Sequence, residues 1–220
     1  MIKAVIFDLD GVLIDSEKLH YITWKKAFME KGAELPLEEY REHYFGITAT
    51  DIVKQFAERR NMPLSSEELK ELAYRKNVHY RELVAKELEP VKGAPELLEK
   101  LKKANFMIAL ATSTTRKNLQ AVMKKTGLGR YMDSMVCAQD ITKGKPDPEI
   151  FLKAASNIRE KPENCLVIED APLGINAAKR AGMKCIAVAT THKTPELANA
   201  DMVVKDLSQL TVEKIRGLGK

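Results

Sequence analysis

Val5-Ile6-Phe7-Asp8-Leu9-Asp10-Gly11-Val12-Leu13 decides the fold, because an apolar run passes straight into two carboxylates and a glycine. Successive apolar residues suit a strand buried on both faces of a parallel sheet. The carboxyl ends of such strands are where open α/β sheets place their ligands. Strand side chains alternate with period two, so Asp8 and Asp10 share a face if the strand persists, and Gly11 lets the backbone turn sharply. Two like charges held together require a cation. The alternative is an Asp-Gly turn whose carboxylates only cap backbone groups.

Phe106-Met107-Ile108-Ala109-Leu110-Ala111 is a second apolar run, and it opens into Thr112-Ser113-Thr114-Thr115-Arg116. Hydroxyls and free backbone N–H groups at a helix start suit a phosphate, and they equally suit plain helix capping. Lys143-Gly144-Lys145-Pro146-Asp147-Pro148 cannot continue a helix and fixes a loop ahead of a helix around Glu149–Ser156. Lys145 there is either a positioned cation or one more surface lysine. Cys165-Leu166-Val167-Ile168-Glu169-Asp170 repeats the first pattern, an apolar strand ending in acids, followed by Pro172, Gly174 and an alanine-rich helix through Ala181. Acids at two strand ends, with a hydroxyl and a lysine from two others, describe one site along one edge of a sheet.

In this arrangement the chain resembles the haloacid dehalogenase-like superfamily of phosphohydrolases and phosphomutases. Asp8-Leu9-Asp10-Gly11 reads as the first motif, Thr112-Ser113 as the second, Lys145-Pro146 as the third and Glu169-Asp170 as the fourth. The resemblance implies that Asp8 is the nucleophile and Asp10 the general acid and base. It implies that Thr112, Ser113 and Lys145 bind the phosphoryl oxygens. Mg²⁺ would be held by Asp8, Asp170 and the backbone carbonyl of Asp10, with Glu169 supporting that shell or orienting Lys145.

The chemistry accounts for these residue types. A carboxylate attacks phosphorus to form an aspartyl-phosphate, dividing one displacement into two. A divalent cation offsets the repulsion between carboxylate and phosphate, while a lysine and a hydroxyl meet charge on the equatorial oxygens. Asp10 protonates the leaving oxygen and later deprotonates the acceptor. Water as acceptor makes a phosphatase; a sugar hydroxyl makes a mutase.

Composition fits this reading. The chain has 220 residues, 45% hydrophobic and 30% charged, enough for a normal core and a smaller second domain. No apolar run approaches membrane-spanning length, and the first strand starts too early for a cleavable leader, so a cytoplasmic location is expected. Cys137, Cys165 and Cys185 fall in or beside apolar runs without metal-ligand spacing and read as buried free thiols. The net charge of +5 comes from lysines interleaved with glutamates on helices such as Ser65–Lys76 and Glu96–Lys103. That pattern reads as solvated faces, and no nucleic-acid partner is expected. No membrane partner is expected either, and a monomer is expected, with a dimer as the alternative.

Strand signals stop between Asp15 and about Pro90. Helical periodicity replaces them at Lys18–Lys31, Leu37–Tyr44, Ala49–Arg60 and Ser65–Leu88, the last with an interruption. Strand and helix then alternate, with strands near Met135–Cys137, Lys184–Val188 and Met202–Val204, as a parallel sheet with right-handed crossovers requires. The expected architecture is a Rossmann-like parallel core at residues 1–14 and 90–220 with an all-helical cap at residues 15–89. Such an insertion lies over the catalytic edge and can act as a lid, with hinges near Asp15 and Glu89–Lys92.

The superfamily associates this kind of cap with sugar-phosphate phosphatases and beta-phosphoglucomutase. His20 resembles a mutase histidine that relays with the acid/base aspartate, and Lys76 a cap lysine that contacts substrate. The ordinary alternatives are a partly buried structural histidine and a solvated lysine. Trp24, Phe28, Tyr40, Tyr44 and Phe45 read as cap core. Against the mutase, Gly46-Ile47-Thr48-Ala49-Thr50 offers Ala49 where the mutase has an arginine clamping the second phosphate. Arg116 or Lys117 could compensate from the core. His43, His79 and His192 show no ligand spacing. The expected function is Mg²⁺-dependent hydrolysis of a small phosphorylated metabolite, a sugar phosphate above all. The alternatives are beta-phosphoglucomutase, interconverting beta-glucose 1-phosphate and glucose 6-phosphate, and a non-catalytic scaffold with the same fold. A dehalogenase would leave Asp10 and Asp170 without purpose as metal ligands.

Overall fold

The structure is a computed structural model and describes residues 1–44 and 47–219. Phe45 and Gly46, assigned above to the cap core and to the head of a cap loop, lie outside the described residues.

The apolar runs become strands β1 (Ala4–Phe7), β2 (Met107–Ala111), β3 (Ser134–Val136), β4 (Cys165–Glu169), β5 (Lys184–Val188) and β6 (Met202–Val204). They pair in parallel in the order β3-β2-β1-β4-β5-β6. Chain order reverses beside β1, between β1 and β4. This is the switch point at which doubly wound sheets leave a crevice. β1 is buried along its whole length. Val5 and Phe7 join one core layer, Ala4 and Ile6 the other, as period two demands. Helix α5 (Ala94–Lys103) and helix α6 (Arg116–Thr126) contribute Leu98 and Val122 to the first layer. Helix α7 (Glu149–Asn157) and helix α8 (Pro172–Arg180) contribute Phe151 and Ala177 to the second. A short helix α9 (Val212–Gly217) ends the core and buries Ile215. Each large apolar side chain so buried contributes roughly 1.5–3 kcal/mol.

Between β1 and α5 the secondary structure is almost wholly helical. The cap contains α1 (Glu17–Met29), α2 (Leu37–Glu39) running into one π turn at Tyr40–Tyr44, α3 (Ala49–Arg59) and α4 (Ser66–Glu87). The Thr48 hydroxyl accepts the Asp51 N–H at the start of α3. Ser65 and Glu68 close a reciprocal capping box before α4. The interruption expected in this last helix is absent: α4 runs unbroken for 22 residues. Neither Pro nor Gly occurs within it, and either would have been needed to break it. The cap has its own aromatic core, in which Phe28 stacks on Trp24 and on Phe56. Ile14 bridges Pro90 and the Val91 N–H donates to the Leu13 carbonyl at 2.9 Å, so the two connections between cap and core run side by side. The three cysteines are buried and free, as expected. Among the described residues, no helix is long and apolar enough to cross a membrane.

Candidate active site

Register brings the acids together. Phe7 pairs with Leu110 on one side and Ile168 on the other, so Asp8 and Glu169 emerge level at the ends of β1 and β4. Gly11 then turns the chain with φ of 78°, and a side chain there would run into the Asp170 carboxylate. Glycine at this position therefore lets Asp170 approach the first motif.

Lys145 Nζ donates to Asp8 Oδ1 at 2.6 Å and to Glu169 Oε1. All three side chains are nearly excluded from solvent. Glu169 turns its other oxygen to the backbone N–H groups of Asp170 and Ala171, both at 2.8 Å, which fixes the carboxylate that holds the lysine. The Thr191 hydroxyl donates to Asp170 Oδ2. Burial pushes the Asp8 pKa upward, aided by the charges of Glu169 and Asp10 and opposed by Lys145. Burial likewise raises Asp170, with Glu169 and Asp8 adding to it. Burial alone would lower Lys145, but Asp8 and Glu169 outweigh it and keep the ammonium charged.

Asp8, Glu169 and Asp170 each offer an oxygen, and these lie within 4.8 Å of one another. Three carboxylates facing one ammonium leave negative charge without a counter-ion in a buried place. A hard divalent cation with oxygen ligands fits that donor set. The Asp10 side chain stands apart from the cluster. Any contribution from it would come through its backbone carbonyl, as the family resemblance implies.

Asp10 is instead tied to the cap. Its Oδ1 accepts from the Ser16 hydroxyl at 2.5 Å and lies 3.2 Å from His20 Nε2, while Lys76 Nζ lies 2.7 Å from His20 Nδ1. Lys76 is only 3% exposed, so it does not belong to a solvated face. Its ammonium sits over the rings of Trp24 and Tyr80, at 5.1 and 4.8 Å from their centroids, and His20 stacks on Tyr80. Burial lowers the Lys76 pKa to about 7, against the pull of Asp10. Burial and the Lys76 charge lower that of His20. Burial works to raise Asp10, but the bonds from His20 and Ser16 and the Lys76 charge hold it below its ordinary value. The network assigns His20 as neutral, its Nε2–H donating to Asp10 and its Nδ1 accepting from Lys76.

Asp8, Asp10, His20, Lys76, Lys145, Glu169 and Asp170 line one cavity of about 290 Å³ between sheet edge and cap. Thr112 and Ser113 line it too, with the Thr112 hydroxyl accepting the Thr114 N–H at 3.1 Å. Arg116 is the exception. Its guanidinium pairs with Asp140 at 2.6 Å, its side chain is half exposed, and it does not line the cavity. Thr115 caps α6, and the first helical residue after it swings outward; sequence proximity to Thr112 was misleading there. Lys117 is exposed and likewise outside the lining. Thr48, Ala49 and Thr50 do line the cavity, on the cap side.

Several residues escaped the sequence reading. Ser16 stands at the N-terminus of α1 but makes no side-chain cap bond, because its hydroxyl serves Asp10. Thr191 and the buried Asn118 carry no local signal, since their partners lie at distant positions in the chain. Asn77, beside Lys76, also lines the cavity.

Residues 5–188 match the family of haloacid dehalogenase-like hydrolases. The chain belongs to that family. It is 36% identical over 220 residues to the beta-phosphoglucomutase of Bacillus subtilis, covering 96% of this chain and 92% of the relative. It is 33% identical over 213 residues to validoxylamine A 7'-phosphate phosphatase of Streptomyces hygroscopicus subsp. limoneus, covering 96% of each. The crystal structure of beta-phosphoglucomutase from Clostridium difficile superposes with a TM-score of 0.90 at 31% identity, covering 100% of this chain and 97% of the other. As a haloacid dehalogenase-like hydrolase the chain is an enzyme, with the parallel core and helical cap of that fold. Its relatives in the subgroup include both a phosphatase and mutases.

Proposed function

We propose that the protein is a Mg²⁺-dependent phosphatase that hydrolyses small sugar phosphates through an aspartyl-phosphate on Asp8. The observation that carries this reading is Lys145 bridging Asp8 and Glu169, beside Asp170, in one cavity with the cap-tethered Asp10. Lys145 donates to Asp8 Oδ1 and so fixes the orientation of the attacking carboxylate. Asp8 and Asp170, with the Asp10 backbone carbonyl, would hold Mg²⁺. When bound, the ion supplies charge neutralisation between nucleophile and phosphate.

Asp8 attacks phosphorus, the bond to the leaving oxygen breaks, and Asp10 delivers the proton that oxygen needs. The incoming phosphate dianion opposes the negative charge on Asp10 and raises its proton affinity. Asp10, again a base, then takes a proton from water as the water attacks phosphorus; the bond to Asp8 breaks and phosphate leaves. Lys145 and Thr112 meet charge on the equatorial oxygens.

Hydrolysis is favoured over mutase chemistry because a mutase must grip a second phosphate. The cap loop presents Ala49, Arg116 is paired with Asp140, and Lys117 points to solvent. The mutase remains the second reading, supported by the Lys76–His20–Asp10 chain and the similarity to beta-phosphoglucomutase. A scaffold role is disfavoured, because buried carboxylates without matching cations destabilise a fold that has no use for them.

Phosphorus NMR tests the reading. The protein is given Mg²⁺, beta-glucose 1-phosphate and a trace of glucose 1,6-bisphosphate. Accumulating inorganic phosphate supports the phosphatase, and conversion to glucose 6-phosphate establishes the mutase instead.

A further inference from the structure

A line of polar side chains crosses from cap to core beside the cavity. Arg81 on α4 donates from Nη1 to Asn118 Oδ1 at 3.0 Å. Asn118, on the first turn of α6 and only 1% exposed, donates from Nδ2 to Asn77 Oδ1 at 2.8 Å and, more weakly, toward Thr114 Oγ1 at 3.5 Å. Asn77 returns the line to α4, one residue after Lys76.

Donor and acceptor logic fixes every amide in this line. A guanidinium has only donors, so it dictates that Asn118 presents its oxygen to Arg81 and its NH₂ to Asn77. Asn77 must then accept through its oxygen, which leaves its own NH₂ as a two-proton donor. Asn77 and Asn118 line the cavity; Arg81 does not. Without Arg81 the Asn118 amide could flip, and with it the polarity that Asn77 offers.

We propose that Arg81 is a specificity-positioning residue: acting through Asn118, it holds the Asn77 NH₂ as a donor to a hydroxyl oxygen on the body of the substrate, remote from the reacting phosphate. The inference rests on the phosphatase reading for the identity of the reaction, and assigns the substrate class to phosphomonoesters carrying such a hydroxyl. Because Arg81 and Asn77 belong to the cap and Asn118 to the core, the line is complete only when the two are docked. Recognition of the hydroxyl is thereby linked to cap closure.

The test compares Arg81→Met, which keeps an unbranched apolar stem and loses the donors, with Arg81→Lys, which keeps a cationic donor group. Steady-state rates are measured with a hexose 6-phosphate and with p-nitrophenyl phosphate, which has no hydroxyl to recognise. Arg81→Met is expected to lower the ratio of kcat/KM between the hexose and aryl substrates about tenfold, chiefly through KM for the hexose. Arg81→Lys is expected to recover most of the ratio. Equal loss on both substrates, or an unchanged ratio, overturns the proposal.

Absence of turnover in the parent protein would refute the phosphatase reading separately. Calorimetry then decides this inference, with a hexose 6-phosphonate and methylphosphonate as ligands. A preference for the hexose in the parent that Arg81→Met abolishes upholds the proposal. No preference, or one that survives the substitution, overturns it.

Discussion

Gly174→Ala is the substitution whose consequence follows most directly from the packing. A Cβ at this position on α8 would overlap the Glu169 carboxylate, the group that holds Lys145 and accepts the N–H groups of Asp170 and Ala171. Glu169 is fixed on all sides, with its side chain only 2% exposed, so it cannot swing away cheaply. Overpacking of this kind costs about 1–3 kcal/mol. Losing a hydrogen bond to a charged group costs about 1.5–3 kcal/mol more. Alanine returns roughly 0.5–1 kcal/mol through helix propensity. The net loss is about 1.5–5.5 kcal/mol, a large part of the ~5–15 kcal/mol that holds a domain folded. Urea unfolding followed by circular dichroism measures it, with Gly217→Ala as control. No atom stands within 4 Å of a Cβ at Gly217, so that variant should stay within about 1 kcal/mol of the parent. A Gly174→Ala protein as stable as the control would refute the claim that glycine is required there to admit Glu169.

Lys76→Met should change how stability depends on pH. The folded chain releases the Lys76 proton near 7, against 10.5 for an ordinary lysine. Between those values the unfolded chain binds more protons, so the parent gains stability as pH rises from about 7 toward 10.5; below 7 it bears the full cost of the buried ammonium. The variant should lack that gain, and urea midpoints at pH 6, 7.5 and 9 with equal slopes for both proteins would contradict it. Asp170→Ala should raise the Mg²⁺ concentration for half-maximal rate at least about tenfold; an unchanged metal titration would exclude Asp170 as a ligand. Asp10→Asn should depress kcat/KM, which reports formation of the phosphoenzyme, far more for alkyl phosphates than for p-nitrophenyl phosphate, whose leaving group needs no proton. Equal losses on the two substrates would remove Asp10 as the acid.

The sheet was legible because β1, β2 and β4 are buried on both faces and therefore written as unbroken apolar runs. The core of the site was legible for the same reason: its acids, hydroxyl and lysine stand where such runs end or in the loop beside them. What escaped depends on which residue lies opposite. Ser16 looks like a helix start and is one, yet its hydroxyl turns to Asp10. Asn118 looks like a surface amide in a helix rich in lysine, yet it is buried and bonded to Arg81 and Asn77 of the cap. Arg116 misled for the opposite reason, because neighbours in sequence part company within the first turn of a helix. His20 and Lys76 had two readings until burial and hydrogen bonding placed them in one chain with Asp10.

Borohydride trapping during turnover shows which carboxylate carries the phosphoryl group. Acyl phosphates are reduced by borohydride, so the protein is mixed with Mg²⁺ and p-nitrophenyl phosphate, quenched with the reductant, digested and mapped by mass spectrometry. Reduction is expected at Asp8, dependent on substrate and lost in Asp8→Asn together with turnover. Substrate-dependent reduction at another carboxylate, or an Asp8→Asn protein that turns over at the parent rate, would contradict it.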